Sequence, residues 1–82
     1  MQINARVDIK NGSYDDWKLF YDSYKVVRNK YIADEKVLRV SDNEASVMFE
    51  VRDLSGLTSL SKSQFVLDGE ARLGIEVTIV QQ

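Results

Sequence analysis

The chain has 82 residues, 44% hydrophobic and 29% charged, with a net charge of −2 and neither Cys nor His. This is the composition of a folding globular protein rather than a disordered one, and its interspersed charges lack the concentrated basic surface that phosphate-backbone binding requires. Without Cys and His, disulfides, the usual zinc sites and the His-activated or thiol nucleophiles are excluded.

A domain this short buries only about 60 to 65% of the surface its unfolded chain exposes. Self-association is therefore the expected supplement to a small core. No apolar run approaches the roughly 20 residues of a membrane span, and the first ten residues alternate in polarity rather than forming a signal-peptide core. The reading is one domain over residues 1–82, cytoplasmic, with neither nucleic acid nor membrane as a partner.

From Ile3 to Lys10 the chain alternates, with Ile3, Ala5, Val7 and Ile9 on one side and Asn4, Arg6, Asp8 and Lys10 on the other, which predicts a half-buried strand. Asn11 and Gly12 form a turn, and Ser13 is suited to cap a helix whose first turn carries Asp15 and Asp16. That helix is predicted from Tyr14 to about Tyr31, with Trp17, Phe20, Tyr21, Tyr24, Val27, Arg28 and Tyr31 sharing a face. Leu19 and Val26 point away from it and have no evident intramolecular partner.

The stretch Lys36 to Asp53 reads as a hairpin, Val37 to Ser41 and Ala45 to Val51 being strand-like runs joined by Ser41, Asp42, Asn43 and Glu44. Asp53 or Ser55 caps a second helical region carrying Leu57 and Leu60. A break near Ser61 to Ser63 divides this region into two short helices. Gly69 costs about 1 kcal/mol in a helix interior, and Leu73 followed by Gly74 is a helix stop. Ile75, Val77 and Ile79 then alternate with polar residues as a last strand.

Strand, helix, strand, strand, helix, strand is the order of an α+β ferredoxin-like fold, βαββαβ, with a four-stranded antiparallel sheet and its helices on one face. Right-handed crossovers make the first and third strands central. Ile3, Ala5, Val7, Leu38, Val40, Val47, Phe49, Val51, Val77 and Ile79 are predicted to face the helices. The other face is predicted to carry Asn4, Arg6, Asp8, Val37, Arg39, Ser46, Met48, Glu50, Thr78 and Val80. Base-stacking RNA-binding sheets need aromatics there, and this face has none. A homodimer formed through it, with Arg39 opposite Glu50, is the expected way of covering an open sheet.

The run Tyr14, Asp15, Asp16, Trp17 with Tyr21, the strand-turn-strand VLRVSDNEASVMFEVRDL and the terminal LGIEVTIV resemble the dimeric α+β barrel superfamily, which includes antibiotic-biosynthesis-monooxygenase-like and stress-responsive barrel domains. The resemblance implies two sheets closed face to face as a dimeric barrel, with a small molecule between each sheet and its own helices. Haem-degrading members of that superfamily depend on a His that this sequence lacks.

No catalytic motif, metal-ligand cluster or phosphate-cradling glycine loop is present, and no cofactor is expected. An acylphosphatase-like reading fails because Lys10 to Ser13 contains no Arg to hold a phosphate. The feature that points beyond a plain core is Arg28, a charge on the same helical stripe as Trp17, Tyr21 and Tyr24. The candidate ligand-binding set is Trp17, Tyr21, Tyr24, Arg28, Phe49, Leu60, Phe65 and Leu67. It would hold an apolar molecule, fatty-acid-like or aromatic, whose acidic or oxygenated end lies near Arg28, Tyr21 or Tyr24. The competing readings are a purely structural aromatic core with Arg28 paired at the helix end, a cofactor-independent oxygenase, and a ligand-free interaction module.

Overall fold

The computed structural model describes residues 1–80. Eight elements follow in order: β1 (Gln2–Ile9), α1 (Tyr14–Ser23), α2 (Lys25–Arg28), β2 (Ile32–Ser41), β3 (Glu44–Val51), α3 (Leu54–Ser61), α4 (Gln64–Leu73) and β4 (Ile75–Val80). The strands form one antiparallel sheet in the order β2-β3-β1-β4, so β1 and β3 are central, the ferredoxin-like α+β arrangement expected from the sequence. Ala5, Val7 and Ile9 of β1 and Ala45 and Val47 of β3 are buried beneath Trp17, Phe20, Tyr21, Val66 and Leu73 of the helices.

Local chemistry sets the helix ends. Ser13 Oγ accepts from the Asp16 amide at 3.2 Å while Asp16 Oδ2 accepts from the Ser13 amide at 3.0 Å, a reciprocal cap that satisfies two otherwise orphaned donors. Asp53 caps α3 by accepting from the Gly56 amide at 2.9 Å. Gly74 ends α4 at φ 62°, a left-handed conformation that glycine adopts without strain. Gly69 is tolerated within α4 because a Cβ there would overlap the Phe20 ring; its helix cost is offset by the close approach of α1.

The hairpin tip is docked on the loop before α1. The Ile9 amide donates to the Asn43 carbonyl at 2.8 Å, and Asn43 Nδ2 donates to the Gly12 carbonyl at 3.0 Å. The polar turn thus anchors the start of the aromatic helix.

Three expectations are corrected. The first helix is not continuous to Tyr31: it breaks at Tyr24, whose φ of −120° leaves the helical region, and α2 continues as a single turn. Ser23 Oγ donates to the Phe20 carbonyl at 2.5 Å, a local bond that competes with helix propagation.

Second, β2 begins at Ile32, well before the hairpin read from sequence, and it contains a bulge. Ala33 pairs with Glu50, but the next pair is Lys36 with Met48, so β2 spends one residue more than its partner, and Asp34 takes φ 55°. One extra residue reverses the two-residue alternation. Val37 consequently faces the helices opposite Val47, whereas Leu38 lies opposite Ser46 on the open face, and Leu38 and Val40 are both exposed.

Third, Arg39 does not pair with Glu50. The same bulge places Arg39 opposite Ala45, on the helix side, 3.6 Å from Asp42 and over the Tyr14 ring, while Glu50 binds the N-terminal ammonium at 2.6 Å. Leu19 and Val26 are exposed, as their place off the apolar face of the helix predicts.

Candidate functional site

The α1 spacing stacks its aromatics toward the sheet. Trp17 and Tyr21 lie nearly parallel with centroids 4.7 Å apart, and Tyr24 meets Tyr21 edge-on at 5.7 Å. The guanidinium of Arg28 lies 3.5 Å above the centre of the Tyr21 ring and 4.9 Å from that of Tyr24. Arg28 is only 3% exposed, so its charge needs compensation.

Glu35 supplies it. Arg28 Nε donates to Glu35 Oε2 at 2.7 Å and Nη2 donates to Oε1 at 3.1 Å, a bidentate pair, while Nη1 donates to the Tyr21 carbonyl at 2.6 Å. Tyr21 Oη donates to the same Oε2 at 2.7 Å. The β2 bulge makes this possible, because the extra residue beside left-handed Asp34 turns Glu35 inward toward the helix. Sequence periodicity does not reveal Glu35 as a core residue; its position depends on that bulge.

Electrostatics follow from the packing. Burial pushes Glu35 up, but hydrogen bonds from Arg28 and Tyr21 together with the Arg28 charge outweigh it and hold the carboxyl below its ordinary range. Burial also works against charge on Arg28, and the Glu35 bond overcomes it, so the guanidinium stays protonated. Burial pushes the Tyr21 hydroxyl well up and that of Tyr24 up to about 12.

Beside this cluster, between the sheet and its helices, lies a cavity of about 390 Å³. Its floor is Ile3, Ala5 and Val7 of β1, Val47, Phe49 and Val51 of β3, and Ile75, Val77 and Ile79 of β4. Trp17, Tyr21, Tyr24 and Arg28 wall one side, and α3 and α4 contribute Leu54, Leu57, Thr58, Leu60, Ser61, Val66 and Glu70. Val77 and Ile79 pair with Val7 and Ala5 and so face the helix side, yet both are about half exposed, as is Leu54. These residues form the mouth.

Of the eight residues proposed from sequence, Trp17, Tyr21, Tyr24, Arg28, Phe49 and Leu60 line this cavity. Phe65 and Leu67 do not. Phe65 is exposed at a separate surface groove of about 630 Å³ between α1 and α4, lined by Asp16, Leu19, Phe20, Ser23, Asp68, Gly69, Arg72 and Leu73, and Leu67 is exposed beside neither space. Within α4 it is Val66 and Glu70, four residues apart, that face the cavity. Glu70 was the signal missed. It is half-buried, has neither a hydrogen bond nor an ion pair among the described residues, and burial pushes its carboxyl up. No three Asp, Glu, His or Cys side chains converge among the described residues in a way that would hold a metal ion.

No protein-family model matches the chain, and no curated protein matches it significantly. Solved structures do. SnoaB, a cofactor-independent oxygenase from Streptomyces nogalater, is similar with a TM-score of 0.66 at 11% identity, over 99% of this chain and 90% of that one. A proposed antibiotic biosynthesis monooxygenase from Deinococcus radiodurans is similar with a TM-score of 0.60 at 12% identity, over 100% and 92% of the two chains. Rv0793 from Mycobacterium tuberculosis is similar with a TM-score of 0.51 at 11% identity, over 100% and 95%. The chain therefore has the ferredoxin-like α+β fold that these solved structures share. At these identities the likeness is one of fold.

Proposed function

We propose that the chain is a small-molecule-binding domain that holds an apolar ligand between its sheet and its helices and works as a homodimer through the open sheet face. The cavity carries this reading. Its volume lies in the range of ligand pockets, its walls are mostly aliphatic and aromatic, and only a few polar groups converge in it. A core built solely for stability would close such a space, because interiors are packed to crystal-like density and voids are costly.

The open face supports the dimer. Leu38, opposite Ser46, and Val80, opposite Asn4, are about half exposed there. A second copy would cover these apolar groups.

Calorimetric titration with 1-decanol tests the binding reading. Saturable one-to-one uptake per protomer is expected, and Val77→Trp, which fills the mouth from a half-exposed position, is expected to weaken it at least about tenfold with little change in Tm, since about 1.4 kcal/mol of lost contact suffices. Uptake unaffected by Val77→Trp would place binding elsewhere.

A second reading, cofactor-independent oxygenation, is favoured by SnoaB's description and by the Glu70 carboxyl on the cavity wall, which is suited to accept a proton from a bound substrate. Dioxygen consumption with an oxidisable phenol and no added cofactor separates it from passive binding, which gives none.

A further inference from the structure

The charged groups of the cavity are not equivalent. Arg28 and Glu70 are the charged side chains on its wall, but Arg28 is already spoken for: three of its five N–H groups are bonded, two to Glu35 and one to the Tyr21 carbonyl. Its charge is cancelled by a carboxylate 2.7 Å away. A ligand carboxylate would have to compete with Glu35 for that guanidinium at a buried site, where separating the existing pair leaves an uncompensated charge.

Glu70 differs in each respect. Neither a hydrogen bond nor an ion pair holds its carboxyl among the described residues, and its place on α4, four residues after buried Val66, aims it at the same space. The groups facing that space from the neighbouring elements are Tyr21 and Tyr24 from α1 and its end, Arg28 from α2, and the Thr58 and Ser61 hydroxyls from α3; the β4 side chains are apolar. With Arg28 neutralised by Glu35, the cavity's net charge is that of Glu70. The unfilled hydrogen-bonding capacity of the Glu70 carboxylate is that of an acceptor.

We propose that Glu70 is the specificity-determining residue of the cavity, selecting apolar molecules that end in a hydrogen-bond donor such as a hydroxyl and rejecting those that end in a carboxylate. This rests on the cavity being a ligand site, and it reverses the expectation that Arg28 draws an acidic end. A hydroxyl donates to the Glu70 carboxylate and fills its empty valence. A ligand carboxylate instead places two like charges in one poorly solvated space, where both cannot remain ionised without cost.

Matched ten-carbon probes test it. At about pH 8, where an alkanoic acid is ionised, 1-decanol and decanoate are titrated into the wild-type protein and into Glu70→Gln, an isosteric change at a half-buried position. The decisive quantity is the ratio of the two affinities, because burial of the alkyl chain is common to both. Wild type is expected to favour decanol, and Glu70→Gln is expected to shrink that preference by about tenfold or more, chiefly through tighter decanoate binding, as removal of one like charge requires. An unchanged ratio in Glu70→Gln, with both probes still bound, overturns the role of Glu70 and leaves the cavity standing as a ligand site. Failure of both probes to bind either protein overturns the cavity reading and this inference with it.

Discussion

Arg28→Met is expected to destabilise the protein by about 3–5 kcal/mol, a large part of the stability of a domain this size. The loss comes less from the missing contact than from what remains: Glu35, with only 11% of its side chain exposed, loses both guanidinium bonds and keeps only the Tyr21 hydroxyl. The double change Arg28→Met with Glu35→Met should recover most of the loss, since replacing a buried pair by apolar groups of similar volume is often neutral or stabilising. Chemical denaturation of the wild type, both single variants and the double variant measures the coupling. Additive effects would mean that the pair is not the unit it resembles.

The same pair sets an acid limit. Because the folded state holds the Glu35 carboxyl below the ordinary value of 4.5, the pair's contribution is fully present above that value and is lost as pH falls through the lower folded one. Glu70 runs the other way. Burial raises its carboxyl, so ionised Glu70 disfavours the folded state at neutral pH and that penalty disappears on acidification. Glu35→Gln should therefore flatten the fall in Tm below about pH 4.5.

The second large effect is expected at the proposed dimer surface. Leu38 is 57% exposed in the protomer, so Leu38→Asp has little to disturb in the fold itself. A two-fold interface contains each substitution twice. If each buried, poorly paired carboxylate costs about 1–3 kcal/mol, the dimer loses about 2–6 kcal/mol, between roughly thirtyfold and twenty-thousandfold in dissociation constant. Sedimentation at micromolar concentration should show a wild-type dimer and a folded Leu38→Asp monomer. A wild-type monomer would remove the dimer from the proposal, although the cavity, enclosed by one chain, would remain.

The fold was legible because its signals are local. Alternation at Ile3 to Ile9, the Ser13 and Asp16 cap, the Asp42–Asn43 turn and the Gly74 stop each act over a few residues, and together they allow few arrangements. The aromatic wall of the cavity was legible for the same reason, since Trp17, Tyr21 and Tyr24 repeat at helical spacing. What periodicity does not carry is a change of phase. The bulge at Asp34 inverts β2, moves Leu38 to the open face and brings Glu35 to Arg28, and no residue preceding it announces an extra position. In α4, apolar character alone favoured Phe65 and Leu67, but the helix turns Val66 and Glu70 inward instead. A charged residue at the right helical offset carries no sign that it faces a cavity.

The most direct measurement is a crystal structure of the protein grown with 1-decanol. Electron density for the alkyl chain is predicted between Trp17, Phe49 and Val77, with the hydroxyl toward Glu70 and the Arg28–Glu35 pair intact. A closed and empty space between sheet and helices, with decanol absent or confined to the groove between α1 and α4, would contradict it.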